Sequence, residues 1–334
     1  MAKPKVAFDI GNSSLKVAVV KNDGIKIHEF RMPENMIEEN EIKMPSAFSA
    51  FLKKIKKETG LPSGPAVIIL PSDQCICRMV TTPKMTEEQL VLNLPYEFSD
   101  FINGDTEQFF CDYAMCELTE AEIDKQDEIM KMMGAVVSKK IVNDYSKIFS
   151  QGGFNVSVMI PREMALIRLV EVYKERNKDA DNEYCFIDVG YNSTHISMIV
   201  GDRIQAERQI AIGCAELDKA LANILNIDVF LTDNYKRINQ DNILEKQECI
   251  EVYNEIAVEV LKVINFYHFT YRNSNLSGIY LIGGGANIYP LRAILQDTMG
   301  MPFYDVNELI LGNNNDEKTC NIGVCAAAAA LARG

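Results

Sequence analysis

Residues 6–16 read VAFDIGNSSLK, and residues 186–196 repeat the pattern as FIDVGYNSTHI. Each copy predicts a buried strand, an Asp-x-Gly turn rich in hydroxyl and amide side chains, and a second, alternating strand. Gly11 and Gly190 allow the backbone to turn sharply and a ligand to approach it closely. Backbone N–H groups and hydroxyls in such turns hold phosphate oxygens, and an Asp carboxylate suits a hydrated divalent cation. The repeat therefore predicts two phosphate-binding hairpins that face each other.

A third glycine-rich element stands near the end of the chain, where residues 277–287 read SGIYLIGGGAN. It predicts a strand, a triple-glycine turn and the start of a helix. Bare glycine backbone lets a flat ring or a phosphate lie beside a helix N-terminus, whose free N–H groups carry partial positive charge. Each element alone is compatible with an ordinary turn. The three together favour a nucleotide site.

Composition narrows the class of protein further. The chain has 334 residues, of which 47% are hydrophobic, and this length suggests about two domains. A net charge of −13 argues against nucleic acid as a partner, because a phosphate backbone needs a basic surface. The nine cysteines form no disulfide framework, and the three histidines are isolated from one another. The first predicted strand begins near residue 5, and no apolar run approaches the ~20 residues of a membrane helix. We therefore expect a cytoplasmic protein.

In this order, the three loops resemble those of the actin-like ATPase superfamily, which includes actin, the heat-shock chaperones, sugar kinases and FtsA. The resemblance implies an α/β fold in which two RNase H-like halves enclose a cleft for ATP (or ADP) and Mg²⁺. The family also carries an acid-x-x-Lys pair at the nucleoside, and the matching pair here is Asp233 and Lys236. That spacing is common on any solvated helix, so the pair is a weak signal.

The resemblance assigns the contacts of the nucleotide. Asp9 and Asp188 would hold the metal through water. The expected phosphate contacts are Gly11, Asn12, Ser13, Ser14, Lys16, Gly190, Asn192 and Thr194. The expected nucleoside contacts are Lys236, Gly283, Gly284, Gly285 and Asn287. No residue that orients an attacking water can be placed, so we expect a slow ATPase at most. Because both aspartates lie at turns, we also expect their replacement by alanine to leave the fold intact.

The stretch 84–160 reads as an inserted unit. The predicted elements are a helix over 86–101, strands over 108–116 and 129–137, a helix over 138–151 and a strand over 155–160. This order resembles FtsA and the PilM family, the cytoplasmic actin-like proteins of type IV pilus and type II secretion machines. Local strings that resemble the PilM family are PKM at 83–85, PYEF at 95–98, DY at 112–113, PREMALIR at 161–168 and AALARG at 329–334.

Two positions depart from the PilM pattern. Relatives commonly carry Glu-Pro before the helix that begins near Met164, whereas this chain has Pro161-Arg162-Glu163. Relatives commonly carry Gly-Gly after the second-domain strand, whereas this chain has Gly213-Cys214. The first change shifts the register of the acid, which weakens any assignment of a catalytic residue.

The resemblance implies four domain segments. The first half comprises 1–83, 161–183 and 322–334, with the inserted lobe at 84–160. The second half comprises 184–212 and 276–321, with an outer helical lobe at 213–275. The final helix is dominated by alanine, and we expect it to pack tightly against a sheet rather than to enter a membrane.

By this resemblance, the chain is a nucleotide-binding scaffold of a type IV pilus or related secretion machine, held at the inner face of the membrane through partners. The groove between the first half and the inserted lobe would capture the N-terminal cytoplasmic peptide of a single-span PilN-like protein. One predicted helix carries apolar residues beside that groove, namely Leu90, Leu92, Leu94, Tyr96 and Phe98. They cannot all face one way, so we expect most of them to pack in the core and the rest to be available to the peptide. Pilus motor ATPases and further copies of the chain are other partners that the resemblance allows. The alternatives are a small-molecule kinase and an FtsA-like filament former, and the absence of a basic amphipathic tail disfavours the latter.

Overall fold

The computed structural model describes residues 6–21, 24–38, 40–102, 104–177, 183–310 and 315–331. The predicted start of the first strand near residue 5 lies outside these ranges. So do the parts of the predicted domain segments at 178–182 and 332–334. The strands are β1 (Val6–Ile10), β2 (Ser14–Lys21), β3 (Gly24–Arg31), β4 (Ile37–Glu38), β5 (Glu41–Ile42), β6 (Pro65–Leu70), β7 (Cys75–Pro83), β8 (Phe109–Cys116), β9 (Ile129–Ser138), β10 (Asn155–Pro161), β11 (Glu183–Val189), β12 (Thr194–Val200), β13 (Arg203–Ile210), β14 (Ile279–Ile282) and β15 (Phe303–Tyr304).

The α-helices are α1 (Pro45–Thr59), α2 (Glu87–Asn93), α3 (Lys139–Gln151), α4 (Arg162–Lys174), α5 (Cys214–Leu225), α6 (Thr232–Ile238), α7 (Gln247–Thr270), α8 (Tyr289–Met299) and α9 (Glu317–Ala330). Short 3₁₀ segments cover Leu94–Phe98, Thr106–Gln108, Glu120–Lys125, Val229–Leu231, Gln240–Glu245, Gly284–Asn287 and Val306–Glu308. α2 begins with a capping box, in which the Thr86 side chain accepts from the Gln89 backbone N–H.

Two sheets share one topology. The first has the strand order β10-β6-β1-β2-β3, and the second has the order β13-β12-β11-β14-β15. In each, the central strand (β1 or β11) pairs antiparallel with the strand that follows it and parallel with a later one. Each Asp-x-Gly turn is therefore the hairpin loop after a central strand. This repetition confirms the predicted pair of like α/β halves.

The last helix, α9, packs on β1, β2, β3 and α4 of the first half. Its residues Ala326 to Ala330 are at most 3% exposed. Small side chains let the helix backbone approach the sheet, and a Cβ at Gly323 would lie only 2.3 Å from a methyl carbon of Ile27. The predicted packing of this helix against a sheet is confirmed.

The inserted lobe has different boundaries from the predicted 84–160. β7 pairs with β9 in a separate sheet of order β7-β9-β8, so the lobe begins at Cys75. β10 pairs with β6 in the first sheet, and α3 packs on α1. Residues 139–161 therefore belong to the first half, and we call residues 75–138 the lobe. Its core comprises Val80, Leu90, Leu94, Phe98, Ile102, Met132 and Val136.

Candidate functional site

Both Asp-x-Gly turns close in the same way. The Gly11 N–H donates to the Ser14 carbonyl over 3.0 Å, and the Gly190 N–H donates to the Ser193 carbonyl over 3.0 Å. A Cβ at Gly190 would lie 2.9 Å from that carbonyl oxygen, so the tight turn requires glycine. The two loops face each other across a cleft of about 730 Å³ between the halves.

Most of the predicted nucleotide contacts line this cleft. They are Asp9, Asn12, Ser13, Ser14, Lys16, Asp188, Gly190, Asn192, Lys236, Gly283, Gly284 and Asn287. Gly11, Gly285 and Thr194 are not among the lining residues. Thr194 is fully buried, and its hydroxyl donates to the Ile212 carbonyl over 2.8 Å. The predicted phosphate contact of Thr194 is therefore replaced by a structural hydrogen bond.

Asp9 and Asp188 lie close to cationic side chains. Lys16 Nζ lies 3.6 Å from Asp9 Oδ2. Burial lowers the pKa of Lys16, but the Asp9 carboxylate, then Asp188 and other nearby acidic groups, together raise it by more, so the net pKa lies above its ordinary value. Lys16 thus stays charged in the cleft, where it can pair with a phosphate.

Sequence reasoning missed the role of Arg162. Its Nη1 donates to Asp188 Oδ2 over 2.9 Å, and the two side chains are only 10% and 20% exposed. Arg162 begins α4 in the first half, whereas Asp188 lies in the second, so this ion pair joins the halves beneath the cleft. The available signal was the altered Pro161-Arg162-Glu163 register, which places an arginine where the resemblance leads one to expect an acid.

A buried polar cluster surrounds this ion pair. Glu163 is 1% exposed and accepts a hydrogen bond from the Ser72 hydroxyl. Arg162 Nη2 lies 3.7 Å from Glu207 Oε1. Burial, and then the Glu163 carboxylate, raise the pKa of Glu207 from 4.5 to about 8. Burial, and then the Arg162 charge, lower the pKa of His195 from 6.5 to about 3.

The raised pKa of Glu207 gives a pH prediction. Between about pH 4.5 and 8 the folded chain keeps a proton that the unfolded chain has lost, so Glu207 makes stability fall as pH rises. The Glu207→Gln variant keeps a neutral side chain at every pH. We therefore expect its melting temperature, measured by circular dichroism, to exceed that of the wild type by a margin that grows from pH 5 to pH 8. Parallel melting curves across this range would contradict the assignment. The lowered pKa of His195 has the opposite effect, since it makes stability rise with pH below pH 6.5. His195 is present in both proteins, so it does not change the difference between them.

Lys236 has a different acidic partner from the predicted Asp233. Lys236 Nζ pairs with Asp218 Oδ1 of α5 over 2.6 Å, and Asp218 is 5% exposed and lines the cleft. Asp233 instead pairs with Arg237 at 2.9 Å and with Arg31 at 3.8 Å. The partner of Lys236 thus comes from another helix, which local spacing could not reveal.

The start of α5 is fixed to the second Asp-x-Gly turn. The backbone N–H of Cys214 donates to the Gly190 carbonyl over 3.0 Å, and that of Ala215 donates to the Tyr191 carbonyl over 2.8 Å. Asp218 lies one helical turn beyond Cys214, on the same face. α5 therefore holds the second loop and the Asp218–Lys236 pair in one rigid arrangement.

The glycine loop is held close to Asp188. Gly283 has φ +83°, and a Cβ there would lie 2.3 Å from Asp188 Oδ1. Its N–H donates to the Asn321 carbonyl over 2.8 Å. The Asn287 amide donates to the Lys318 carbonyl over 3.0 Å and accepts from Asn321 over 3.1 Å. Asn287 thus fixes the loop to α9, a use of its side chain that the sequence did not indicate.

The chemistry of the two aspartates fits the expected metal. Asp9 and Asp188 present carboxylate oxygens to one cleft, and Mg²⁺ prefers oxygen ligands and retains several waters. Within the described residues, no cluster of three or more His, Cys, Asp or Glu side chains could hold a metal directly. Two carboxylates suit a Mg²⁺ ion that keeps several of its waters.

Among the described residues, no helix combines the length and the apolar character needed to cross a membrane.

Comparison with known proteins agrees with this geometry. The family model described as type IV pilus assembly protein PilM matches residues 7–314. Among the curated proteins, none matches the chain at a significant level. A solved structure of a PilM–PilN type IV pilus biogenesis complex superposes with a TM-score of 0.80, at 20% sequence identity, covering 99% of this chain and 98% of the other.

Two further solved structures are more distant. The ethanolamine utilization protein EutJ from Carboxydothermus hydrogenoformans has a TM-score of 0.53 at 13% identity, covering 90% of this chain and 83% of its own. Component A of (R)-2-hydroxyglutaryl-CoA dehydratase from Acidaminococcus fermentans has a TM-score of 0.50 at 10% identity, with 99% and 97% covered. At these identities the likeness concerns the fold, and it confirms the predicted actin-like ATPase fold.

Proposed function

This chain belongs to the PilM family of type IV pilus assembly proteins, and on that premise we propose that it is a nucleotide-binding scaffold of a type IV pilus or related secretion machine. ATP with Mg²⁺ would occupy the cleft between the halves. The N-terminal cytoplasmic peptide of a single-span PilN-like protein would bind beside the lobe. Through this partner the chain would be held in the cytoplasm at the inner face of the membrane.

The observation that carries the nucleotide assignment is the convergence of three loops on one cleft. The first phosphate loop supplies Asn12, Ser13, Ser14 and Lys16, and the second supplies Gly190 and Asn192. Hydroxyls, side-chain amides and an ammonium are groups that bind phosphate oxygens. When bound, Mg²⁺ would neutralise phosphate charge, and Asp9 and Asp188 would hold it through its waters.

We expect slow hydrolysis because of the position of Glu163, the acid whose register differs from that of the PilM relatives. Glu163 is buried, binds Ser72 and is not among the lining residues of the cleft. A carboxylate so placed does not face an attacking water beside the γ-phosphate. We therefore propose that nucleotide occupancy sets the arrangement of the halves and that turnover is at most slow.

The lobe supplies the surface for the peptide. Leu90, Leu94 and Phe98 lie at helical spacing and are at most 2% exposed, so they form the lobe core. Leu92 and Tyr96, on the opposite face, are 71% and 66% exposed. Val91 beside them is also exposed. An apolar strip of this kind suits a short peptide that folds as it binds, and membership of the PilM family favours a PilN-like segment as its occupant.

The test of the partner assignment is the Leu92→Asp variant. A charge in the centre of an apolar contact must be desolvated, so we expect the affinity for the N-terminal peptide of the PilN-like protein from the same genome to fall about tenfold or more. Fluorescence anisotropy with labelled peptide measures this. Ile238→Asp is the matched control, because Ile238 is 69% exposed but lies in the outer helical lobe. Equal affinities of wild type and Leu92→Asp, or a loss confined to Ile238→Asp, would contradict the assignment.

A further inference from the structure

The first phosphate loop is held by a residue outside it. The Asn12 amide donates to Asn40 Oδ1 over 2.9 Å, and the Asn40 backbone N–H donates to Asn12 Oδ1 over 3.3 Å. Asn40 lies between β4 and β5 and has φ +59°, a left-handed conformation that asparagine tolerates better than most residues. The reciprocal pair fixes the orientation of the Asn12 side chain at the edge of the cleft.

Asn40 in turn binds the segment that leads into the lobe. Its side-chain amide donates to Asp73 Oδ2 over 2.9 Å, and its carbonyl accepts from the Gln74 side chain over 2.7 Å. Gln74 Oε1 also accepts from the Tyr145 hydroxyl of α3 over 3.1 Å. Hydrogen bonds from both the side chain and the backbone of Asn40 therefore connect Asn12 to Asp73 and Gln74.

The second phosphate loop reaches the same segment by another route. Asp188 accepts from Arg162, and the neighbouring Glu163 accepts from the Ser72 hydroxyl. Ser72, Asp73 and Gln74 are consecutive, so contacts from both loops meet within the turn Pro71–Gln74. This turn is tight, because the N–H groups of Gln74 and Cys75 both donate to the Pro71 carbonyl, over 2.9 and 3.0 Å.

The turn Pro71–Gln74 lies at the start of the lobe. β6 ends at Leu70 in the first sheet, and β7 begins at Cys75 in the lobe sheet. The turn Pro71–Gln74 is therefore the covalent link through which the lobe starts. Hydrogen bonds thus connect both phosphate loops to the base of β7.

We infer that the turn Pro71–Gln74 couples the nucleotide cleft to the lobe, with Asn40 as the positioning residue that joins them. The inference rests on the proposed nucleotide function and extends it, because it says how nucleotide occupancy reaches the peptide-binding part of the chain. Spatial connection alone does not establish coupling, so the test must measure coupling itself.

Hydrogen exchange with mass spectrometry tests this on the full chain, with ATP and Mg²⁺ as the probe and no peptide present. In the wild type we expect saturating ATP to slow exchange in the phosphate loops and, in addition, to slow exchange in 71–83 about fivefold or more. In Asn40→Gly the loops should still be protected at saturating ATP, while the response in 71–83 should fall by more than half. Part of the response remains, because the backbone hydrogen bonds of residue 40 and the route through Ser72 are kept. Glycine adopts positive φ without strain, so the variant keeps the backbone conformation.

Two further variants complete the test. Asn226→Gly is the matched control, since Asn226 has φ 51° at the end of α5, and its exchange response should equal that of the wild type. Gln74→Ala removes the Gln74 hydrogen bonds to Asn40 and Tyr145 and should also reduce the response in 71–83 by more than half. Protected loops with no response in 71–83 of the wild type, or an unchanged response in Asn40→Gly and Gln74→Ala, would overturn the coupling. Absence of protection in the loops themselves would instead overturn the nucleotide assignment on which it rests.

Discussion

Replacing Asp188 by alanine is expected to lower the free energy of unfolding by about 3 kcal/mol, because it removes the hydrogen-bonded partner of a buried guanidinium. Arg162 is 8% exposed, and its Nη1 lies 2.9 Å from Asp188 Oδ2. The turn location predicts an intact fold for this variant, and the ion pair adds a loss of stability to that prediction. Urea denaturation followed by circular dichroism measures the change.

Two further variants test whether the loss of stability comes from the Arg162–Asp188 ion pair. Asp9→Ala should lower the free energy of unfolding by clearly less than Asp188→Ala does. The Lys16 side chain that it leaves behind is 16% exposed and borders the open cleft. The double variant Arg162→Met, Asp188→Ala should recover most of the lost stability, because it leaves no unpaired guanidinium. Equal losses for Asp188→Ala and Asp9→Ala, without recovery in the double variant, would show that the ion pair does not matter to stability.

The second large effect concerns ligand affinity. Asp9→Asn removes one of the two carboxylate charges expected to hold hydrated Mg²⁺ and leaves the shape of the loop nearly unchanged. We expect its affinity for ATP in the presence of Mg²⁺ to fall about 100-fold, equivalent to roughly 2.7 kcal/mol. Lys16 would keep part of the phosphate contact, so the residual binding should depend little on Mg²⁺.

Local patterns predicted the parts of this fold that depend on neighbours in sequence. The Asp-x-Gly hairpins, the glycine loop and the alanine-rich last helix lie where the sequence places them, because strand alternation and turn chemistry are short-range properties. The split of the α2 face into buried Leu90 and exposed Leu92 likewise follows from the helical period.

What the sequence did not predict depends on contacts between distant segments. Arg162 meets Asp188 across the two halves, and Lys236 pairs with Asp218 of another helix instead of an acid on its own helix. The sequence places β7 in the first half, before the predicted lobe. β7 nevertheless pairs with β9, which follows α2 in the chain. Thr194 has the right residue type for a phosphate contact, but its hydroxyl binds the Ile212 carbonyl instead.

Isothermal titration of the wild-type chain with ATP, in Mg²⁺ and again after chelation, tests most directly whether the cleft is a nucleotide site built on the paired aspartates. We expect saturable binding of one ATP per chain that weakens on chelation, and an Asp9→Asn variant that binds weakly under both conditions. Circular dichroism of the variant must show a native fold. Absence of ATP binding by the wild type, or an unchanged Mg²⁺-dependent affinity in Asp9→Asn, would contradict the assignment.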